Sequence, residues 1–414
     1  MLAASMHTPL ALHIRKAQQD DVDRLVDIHL GAFPDSRGPE PRRRNFQANA
    51  FGGLDDLYVA ASGETLLGHA FLYPMQSWFG GRAVRLGGIA SVGVAAEARG
   101  RGIARALLEH LHALSRARGD AITLLYAFRH AFYRRFGYGA VTPSIQLEVA
   151  PSAIPAPWVA AARGAVRSLL RSDRDELVHI YERTAVRTTG WLTRRPMLWE
   201  RGFLDDRRAW FITEDRRGYL SWTLEKSDSH AAVHLVVSDF VAEDGAAWRT
   251  LWGHLGAQKD QVQCIEIDVP HDDPALHALV DIDSHRFGTH RLEHPYGTIQ
   301  AGPMARVHDI AAALEARGYL DEGTVTVAVG EGPTHRLEVA GGLGRVTAVA
   351  QAAASEGSVD LLFSDIATFA SVAYGGLRPS QGARAGLVSA PDRLALTRAD
   401  RLFALPAFHA LDSF

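Results

Sequence analysis

The clearest pattern of apolar and polar positions runs from Ile89 to Gly119. A short apolar run, Ile89 to Val94, predicts a strand, and a polar turn containing Gly100 and Gly102 follows it. Apolar residues then recur at the spacing of one helical face, at Ile103, Leu107, Leu111 and Leu114. Basic residues come next, just before a glycine, as at the end of a helix. The pattern therefore predicts a strand, a glycine-containing turn and a helix ending at Gly119.

The start of this helix is a candidate binding site for a phosphate or pyrophosphate group. The first N–H groups of a helix have no partner inside it, and the helix dipole adds partial positive charge. Gly102 would let the backbone approach a ligand closely, and Ala104 keeps the first turn small. An ordinary β–α turn is the alternative interpretation, because two glycines before a helix are weak evidence alone.

The flanking patterns predict the rest of a mixed sheet. Asp20 and Asp21 precede a helical pattern that reaches Ala32, and either can cap that helix. Strands are predicted at residues 57–61, 67–75, 84–94 and 121–127. Residues 35–50 are rich in proline, arginine and glycine, which predicts a loop.

A similar order of elements recurs after residues 151–165, whose proline and alanine content indicates a linker. The strand-to-helix junction of this second copy contains Asp239, Glu243 and Asp244 and lacks the pattern Arg-x-x-Gly-x-Gly/Ala. Carboxylates there would repel a pyrophosphate. The second copy is therefore predicted not to bind the ligand of the first.

The composition changes once more from about residue 300. A helix is predicted to open at residues 304–309 and to end at Gly318, and further helices are predicted near residues 363–374 and 391–403. A chain of 414 residues exceeds the size at which a single core stops growing. Two or three domains are therefore expected.

Composition excludes several classes of function. A hydrophobic content of 47% with 22% charged residues is that of a soluble globular protein, and a net charge of −3 gives no electrostatic case for nucleic acid. With one cysteine, Cys264, no intrachain disulfide can form, which suits a reducing compartment. We find no signal peptide or membrane span, and no metal motif such as His-Glu-x-x-His. A cytoplasmic protein without metal, nucleic-acid or membrane partners is expected, although secretion is not excluded.

The pattern Arg-x-x-Gly-x-Ala at residues 99–104 resembles the acetyl-CoA loop of the GCN5-related N-acetyltransferases. The whole chain resembles their Eis (enhanced intracellular survival) family, through Gly88–Val94, Arg99–Ile103, Tyr133–Gly139, Ala312–Tyr319 and the terminal Phe414. The resemblance implies an α+β fold with a catalytic acetyltransferase domain (1–155), a degenerate acetyltransferase-like domain (156–299) and a sterol-carrier-like domain with a catalytic tail (300–414). It also implies a homo-oligomer, with a hexamer expected.

The resemblance implies a role for individual residues. Acetyl-CoA, as co-substrate, would be bound by Val92, Val94, Arg99, Gly100, Arg101, Gly102, Ile103 and Ala104. Tyr133 would act as general acid, and the terminal carboxylate of Phe414 as general base. Asp35 and Ser91 would bind the substrate. Gly100 stands where a basic residue is common in the family, so one phosphate contact would be missing.

The implied reaction is direct acetyl transfer, through a tetrahedral intermediate, to a primary amine of a cationic small molecule such as an aminoglycoside, a polyamine or a lysine-like acceptor. An alkyl ammonium has a pKa near ~10.4, so a base must remove its proton before it can attack. Competing assignments are Tyr138 as the acid, and His130 or His409 as the base. The competing function is binding of a lipid or sterol by the C-terminal domain.

Overall fold

The computed structural model describes residues 11–33, 38–226, 233–279, 295–349 and 359–414. Along these residues lie three β-sheets, each accompanied by helices, so the expected α+β class is confirmed. Strands and helices are numbered in chain order.

The first sheet is mixed and contains the predicted element at residues 89–119. Its strands are β1 (His13–Lys16), β2 (Leu57–Ser62), β3 (Thr65–Phe79), β4 (Arg82–Val94), β5 (Ile122–Leu125), β6 (Tyr138–Ala140) and β14 (Met304–Val307). Its helices are α1 (Val22–Ala32), α2 (Pro39–Gln47), α3 (Ile103–Ala117) and α4 (His130–Arg134). Helix α3 packs on β3 and β4 and buries Ile103, Leu107 and Leu111, as the helical spacing predicts. Gly119 follows it with a φ of +79°, which suits the predicted C-terminal glycine.

The second sheet repeats this arrangement. Its strands are β7 (Ser144–Val149), β8 (Val166–Ser168), β9 (Ala209–Thr213), β10 (Gly218–Lys226), β11 (Val233–Ala242), β12 (Cys264–Pro270) and β13 (Gly297–Gln300). Its helices are α5 (Ala156–Ala162), α6 (Arg174–Ala185), α7 (Pro196–Phe203), α8 (Gly245–Gly256) and α9 (Ala275–Ala278). Strand β11 and helix α8 correspond to β4 and α3, so the predicted second copy is confirmed.

The third sheet belongs to the C-terminal domain. Its strands are β15 (Gly323–Val329), β16 (His335–Ala340), β17 (Leu343–Ala348), β18 (Leu361–Phe363) and β19 (Val388–Ser389). Its helices are α10 (Ile310–Ala316), α11 (Ile366–Ala373), α12 (Pro379–Arg384) and α13 (Arg393–Leu402). The core is continuous with that of the first domain, since Phe79 and Leu86 belong to the same buried cluster as Phe363 and Phe369.

The last segment, residues 404–414, is an extended tail without helix or strand. Arg317, which is fully buried, holds the start of this tail. Its guanidinium donates to the carbonyl oxygens of Ala373, Phe403 and Ala404, at 2.5, 3.4 and 3.4 Å. These carbonyls belong to the ends of α11 and α13, where the helix dipole favours a cation.

Each of the first two sheets contains one strand from outside the expected bounds of its own domain. The order of the first is β1-β2-β3-β4-β5-β14-β6, and the order of the second is β13-β7-β12-β11-β10-β9-β8. Thus β14, from the expected third domain, fills the place between β5 and β6, while β7, from the expected first domain, lies between β12 and β13. The sheets therefore cross the expected boundaries at 155 and 299, and those boundaries stay predictions.

Two local predictions were wrong. Residues 35–50, expected as a loop, contain α2, which begins at Pro39, where the fixed φ of proline suits a first helical turn. It buries Arg42 and Phe46, four residues apart, on one face. Residues 304–309, expected to open a helix, form β14, and Asp309 caps α10 by accepting from the Ala312 N–H at 2.8 Å.

Among the helices that the structure describes, none is both long enough and apolar enough to cross a bilayer.

Candidate active site

Strand β4, which is expected to contribute Val92 and Val94 to the acetyl-CoA site, separates from its neighbour β5 within the first sheet. Strands β4 and β5 run parallel and pair until Gly88 and Leu124. Beyond this point they part, so the β5-facing edge of Ile89–Val94 has no strand partner among the described residues. A register shift against β3 and a φ of +50° at Ser91 mark the bend. Free N–H and C=O groups on such an edge can bind an extended ligand as a further strand would.

The turn before α3 fits a pyrophosphate group. Gly100 and Gly102 have φ angles of +76° and +82°, and a Cβ built at either would meet no protein atom within 4 Å. The N-terminus of α3 has no side-chain cap, so its first N–H groups are free to bind an anion. The side chains of Arg99 and Arg101 are exposed beside it. The open space and the free donors are what a phosphate of acetyl-CoA requires.

The remaining residues of the expected cofactor set lie around this turn. Ile103 is buried in the core and Ala104 is half-buried, so both offer the ligand mainly their backbone N–H groups. Val92 and Val94 are half-buried on the free edge of β4. Arg99 already donates one hydrogen bond, of 2.7 Å, to the carbonyl of Gly31, which leaves its other donors for a ligand.

At the corresponding junction of the second domain, a side chain caps the N-terminus of the helix. Asp244 caps α8 by accepting from the N–H groups of Ala246 and Ala247, both at 2.9 Å. Its carboxylate thus occupies the donors that α3 leaves free. Glu243 beside it is paired with Arg183. The Asp244 cap gives a physical reason to expect that this copy does not bind the cofactor, and this stays a prediction.

Tyr133 lies near the end of α4 and is 3% exposed. Burial raises the pKa of Tyr133 to about 12, so it keeps its proton at neutral pH. Its hydroxyl makes no hydrogen bond with another residue that the structure describes, and its ring meets the edges of Phe132 and Phe128. Within the described part of the chain, Tyr133 is therefore a protonated donor without a partner. His130, the first residue of the same helix, is half-buried.

The two other competitors are engaged elsewhere. Tyr138 is fully buried, and its hydroxyl lies 2.8 Å from His112 Nε2 and 3.0 Å from Thr123 Oγ1. His409 accepts from Trp191 Nε1 at 3.3 Å, while its Nε2 donates to a backbone carbonyl of β12 at 3.1 Å. Burial lowers the pKa of His409 to about 4. Neither side chain is available to a substrate.

The end of the chain docks against β4. The ring of Phe414 packs on Gly88, where a Cβ would lie 3.0 Å from the ring and would also meet the sulfur of Met75. The rings of Phe51 and Tyr126 flank it, with centroids 5.9 and 5.5 Å away. The tail thus ends where β4 and β5 part. Its docking agrees with its apolar composition, and its catalytic role stays a prediction.

A cavity of about 810 Å³ lies beside the tail. Helix α2 forms one wall, the region of α7 forms another, and residues 411–413 of the tail form part of its floor. Trp199 and Trp210 line the cavity, whereas Trp191 is buried against Tyr181. Ser91 is half-buried on β4, and Asp35 lies outside the described residues.

Sequence reasoning missed several residues around the tail. Tyr126 follows β5, and its hydroxyl donates to the carbonyl of Asp412 at 3.5 Å. The side chain of Asp412 pairs with Arg194, which also pairs with Asp239. Burial alone would raise the pKa of Asp239, but the Arg194 guanidinium outweighs it, so this pKa is lowered. No local pattern marks these partners, because they are far apart in the chain.

The described residues contain no cluster of three or more histidine, cysteine, aspartate or glutamate side chains that could hold a metal ion. The site expected from the resemblance uses backbone donors, one phenol and one carboxylate, and these roles stay predictions.

Three family models match the chain. The acetyltransferase (GNAT) domain matches residues 13–141 and, in a second form, residues 190–307, and the sterol carrier protein domain matches residues 310–409. The N-acetyltransferase Eis of Mycobacterium tuberculosis (strain H37Ra) is 28% identical over 409 residues, covering 93% of this chain and 95% of that protein.

Solved structures show the same architecture. Eis1 from Mycobacterium abscessus, at 26% identity, has a TM-score of 0.76 and covers 98% of this chain and 100% of that one. A GCN5-related N-acetyltransferase from Anabaena variabilis has a TM-score of 0.80 at 24% identity, over 97% and 100% of the two chains. The fold class expected from the sequence, two acetyltransferase-like domains and a sterol-carrier-like domain, is thereby confirmed.

Proposed function

This chain is an Eis-like GCN5-related N-acetyltransferase, and we propose that it transfers the acetyl group of acetyl-CoA to a primary amine of a small molecule. The main support for this proposal is that three features lie together in the fold. The uncapped start of α3, the free edge of β4 and the terminal residue of the chain all border the gap between β4 and β5.

Acetyl-CoA, when bound, supplies a thioester as acetyl donor. The N–H groups at the start of α3, with Arg99 and Arg101, would hold its phosphates. The free edge of Ile89–Val94 would align its extended arm, and the N–H groups of Val92 and Val94 are the candidate donors for the oxyanion. The Ile103 and Ala104 backbone completes the phosphate contact. Each role uses groups that are free among the described residues.

The terminal carboxylate would act as the base. It is ionised at neutral pH, and it would take a proton from the ammonium group of the acceptor, directly or through water. A positioned general base of this kind typically contributes about 10²- to 10⁴-fold in rate. The Phe414 ring fixes this carboxylate beside β4 by packing on Gly88.

Tyr133 would act as the general acid for the leaving thiolate. Its pKa of about 12 keeps the hydroxyl protonated throughout the working range of pH. It can therefore donate a hydrogen bond and then a proton to the sulfur as negative charge develops there. We expect no loss of rate on the alkaline side from ionisation of Tyr133 below about pH 11.

The class of acceptor follows from the resemblance, which implies cationic amines such as aminoglycosides or polyamines. The cavity beside the tail contains carboxylates, Glu200 and Asp205 among them, but also arginines, including Arg44 and Arg201. The acceptor panel should therefore include amines that carry an acidic group. Assembly into a homo-oligomer also stays a prediction.

The test is an acetyl-CoA thiol-release assay over a panel of amines, with the intact mass of each product. Two variants assign the roles: Tyr133→Phe should lower kcat with little change in CoA affinity, and removal of Phe414 should do the same. Tyr138→Phe is the control for loss of a phenol. An enzyme that releases thiol equally well without Phe414 would refute the carboxylate base, and absence of acetylated product with every amine would refute the function.

Lipid binding is the weaker alternative. The core of the C-terminal domain is filled by buried aromatic side chains, and the tail leaves this domain to reach the first. A titration with a fluorescent fatty acid discriminates between the two functions. Tight lipid binding without CoA binding would favour lipid binding over acetyl transfer.

A further inference from the structure

The second domain holds the tail through a buried group of three charged residues, Arg194, Asp239 and Asp412, which we call the grip. Arg194 precedes α7, and its side chain is only 6% exposed. Its Nη1 and Nη2 donate to the carboxylate of Asp239 at 2.7 and 3.0 Å, and its Nε donates to the carboxylate of Asp412 at 2.9 Å. One guanidinium thus joins the sheet of the second domain to the tail.

The grip is rigid on the side of the second domain. Asp239 lies on β11, is 2% exposed and also accepts from the Tyr219 hydroxyl at 3.3 Å. The guanidinium carbon of Arg194 lies 4.4 Å from the ring centre of Tyr181 and 4.7 Å from that of Trp199. A planar guanidinium with a bidentate partner and aromatic neighbours keeps one orientation. Its Nε therefore points in a fixed direction.

The tail side of the grip is close to the end of the chain. Asp412 is two residues before Phe414, and two residues span at most about 7 Å. Its carboxylate is 11% exposed, and its backbone carbonyl accepts from the Tyr126 hydroxyl at 3.5 Å. Fixing Asp412 therefore confines the terminal carboxylate to a small volume beside Gly88.

We propose that Arg194 is a positioning residue for the reaction: by holding Asp412, it places the terminal carboxylate of Phe414 where the acceptor amine is deprotonated. This inference rests on the proposed function, in which that carboxylate is the base. The degenerate second domain then contributes to catalysis without binding the cofactor.

Asp412→Asn is the variant that tests the grip most cleanly. It leaves the bidentate pair between Arg194 and Asp239 intact, whereas loss of Arg194 would leave two buried carboxylates facing each other and would disturb the fold. Asp173→Asn is the matched control, since Asp173 also pairs with an arginine, Arg167, at 2.6 Å, and has a side chain only 7% exposed, but it lies outside the residues that line the cavity and off the tail.

We expect Asp412→Asn to lower kcat about 10- to 100-fold with KM for acetyl-CoA within about twofold, because a shift of about 1 Å in a reacting group costs this much. The kcat of Asp173→Asn should stay within about twofold of that of the parent enzyme. Combining Asp412→Asn with removal of Phe414 should give the kcat of the Phe414 deletion alone, since the grip acts through that residue. If the fold-reductions in kcat of the two single variants multiply in the combined variant, the proposal is wrong.

Timed digestion with a carboxypeptidase, followed by intact mass, tests the grip without using activity. Phe414 should be released about tenfold faster or more from Asp412→Asn than from the parent protein or Asp173→Asn. Equal release rates, or an unchanged kcat in Asp412→Asn while removal of Phe414 still abolishes turnover, would overturn the role of Arg194. An unchanged kcat after removal of Phe414 would instead refute the base itself, so the two failures are distinguishable.

Discussion

The glycine at the start of α3 offers a test of the cofactor site with an internal control at the other end of the same helix. Gly102 and Gly119 have φ angles of +82° and +79°, and a Cβ at either would meet no atom closer than 3.8 Å. Alanine at either position should therefore cost about 1–2 kcal/mol of stability through the same left-handed strain. Only Gly102 faces the expected phosphates.

The effect on binding can be estimated. A methyl group at residue 102 would push the phosphates outward by about 1.5 Å, the length of one carbon–carbon bond. For two phosphate charges about 4 Å from a helix end of about +0.5 charge, at an effective dielectric constant of about 20, this costs about 1 kcal/mol. Losing one charge-assisted hydrogen bond adds about 1.5 kcal/mol. The sum, about 2.5 kcal/mol, is a roughly 70-fold weaker affinity for CoA.

Calorimetric titration of CoA into Gly102→Ala and Gly119→Ala, beside urea unfolding of both, would measure the two effects separately. We expect similar losses of stability and a weaker CoA affinity in Gly102→Ala alone. Equal CoA affinities in the two variants would refute the assignment of this turn to the cofactor.

Three further predictions concern the tail and the core. Gly88→Ala should displace the Phe414 ring and lower kcat about 10- to 100-fold at constant KM for acetyl-CoA; steady-state kinetics indistinguishable from the parent would show that the ring adapts. Arg317→Met should reduce the free energy of unfolding by about 3 kcal/mol or more in urea, because the buried carbonyls of Gly318, Ala373 and Phe403 lose this donor at about 1–3 kcal/mol each; a smaller loss would mean that relief from burying the charge compensates. Burial lowers the pKa of His69 to about 3, below its value of about 6.5 in an unfolded chain, so its contribution to stability is complete above pH 6.5 and is lost as pH falls toward 3. Melting temperatures measured from pH 7.5 to 4.5 should fall less steeply in His69→Phe, and parallel curves would contradict this.

The predictable part of the site is the part that is local in the chain. The strand, turn and helix of residues 89–119 are specified by spacing and by two glycines whose φ angles are positive. The sequence also predicts that the helix start of the second copy differs from that of α3, because Asp244, a residue of that junction, is itself the cap of α8. Each of these features lies within about one helix length of the residues that determine it.

The unpredicted part depends on distant partners. Arg194 and Asp412 are separated by 218 positions, and nothing in the sequence around either one indicates an ion pair. Strand β14 has four residues and gains its strand conformation only by pairing with β5 and β6. The short apolar pattern before Asp309 predicts a helix start, and this prediction is wrong because tertiary pairing outweighs so short a local signal.

The place of β14 in the first sheet has a consequence for synthesis on the ribosome. The place between β5 and β6 stays empty after residue 140 until residues 304–307 have been made, about 165 residues later. At translation rates of about 5–20 residues per second, the growing chain carries an unfilled catalytic sheet for roughly 10 to 30 s. Unpaired strand edges exposed for that long invite pairing with another nascent chain on the same messenger RNA. Translation speed across the second domain, and chaperone cover during it, should therefore control how much of this enzyme matures.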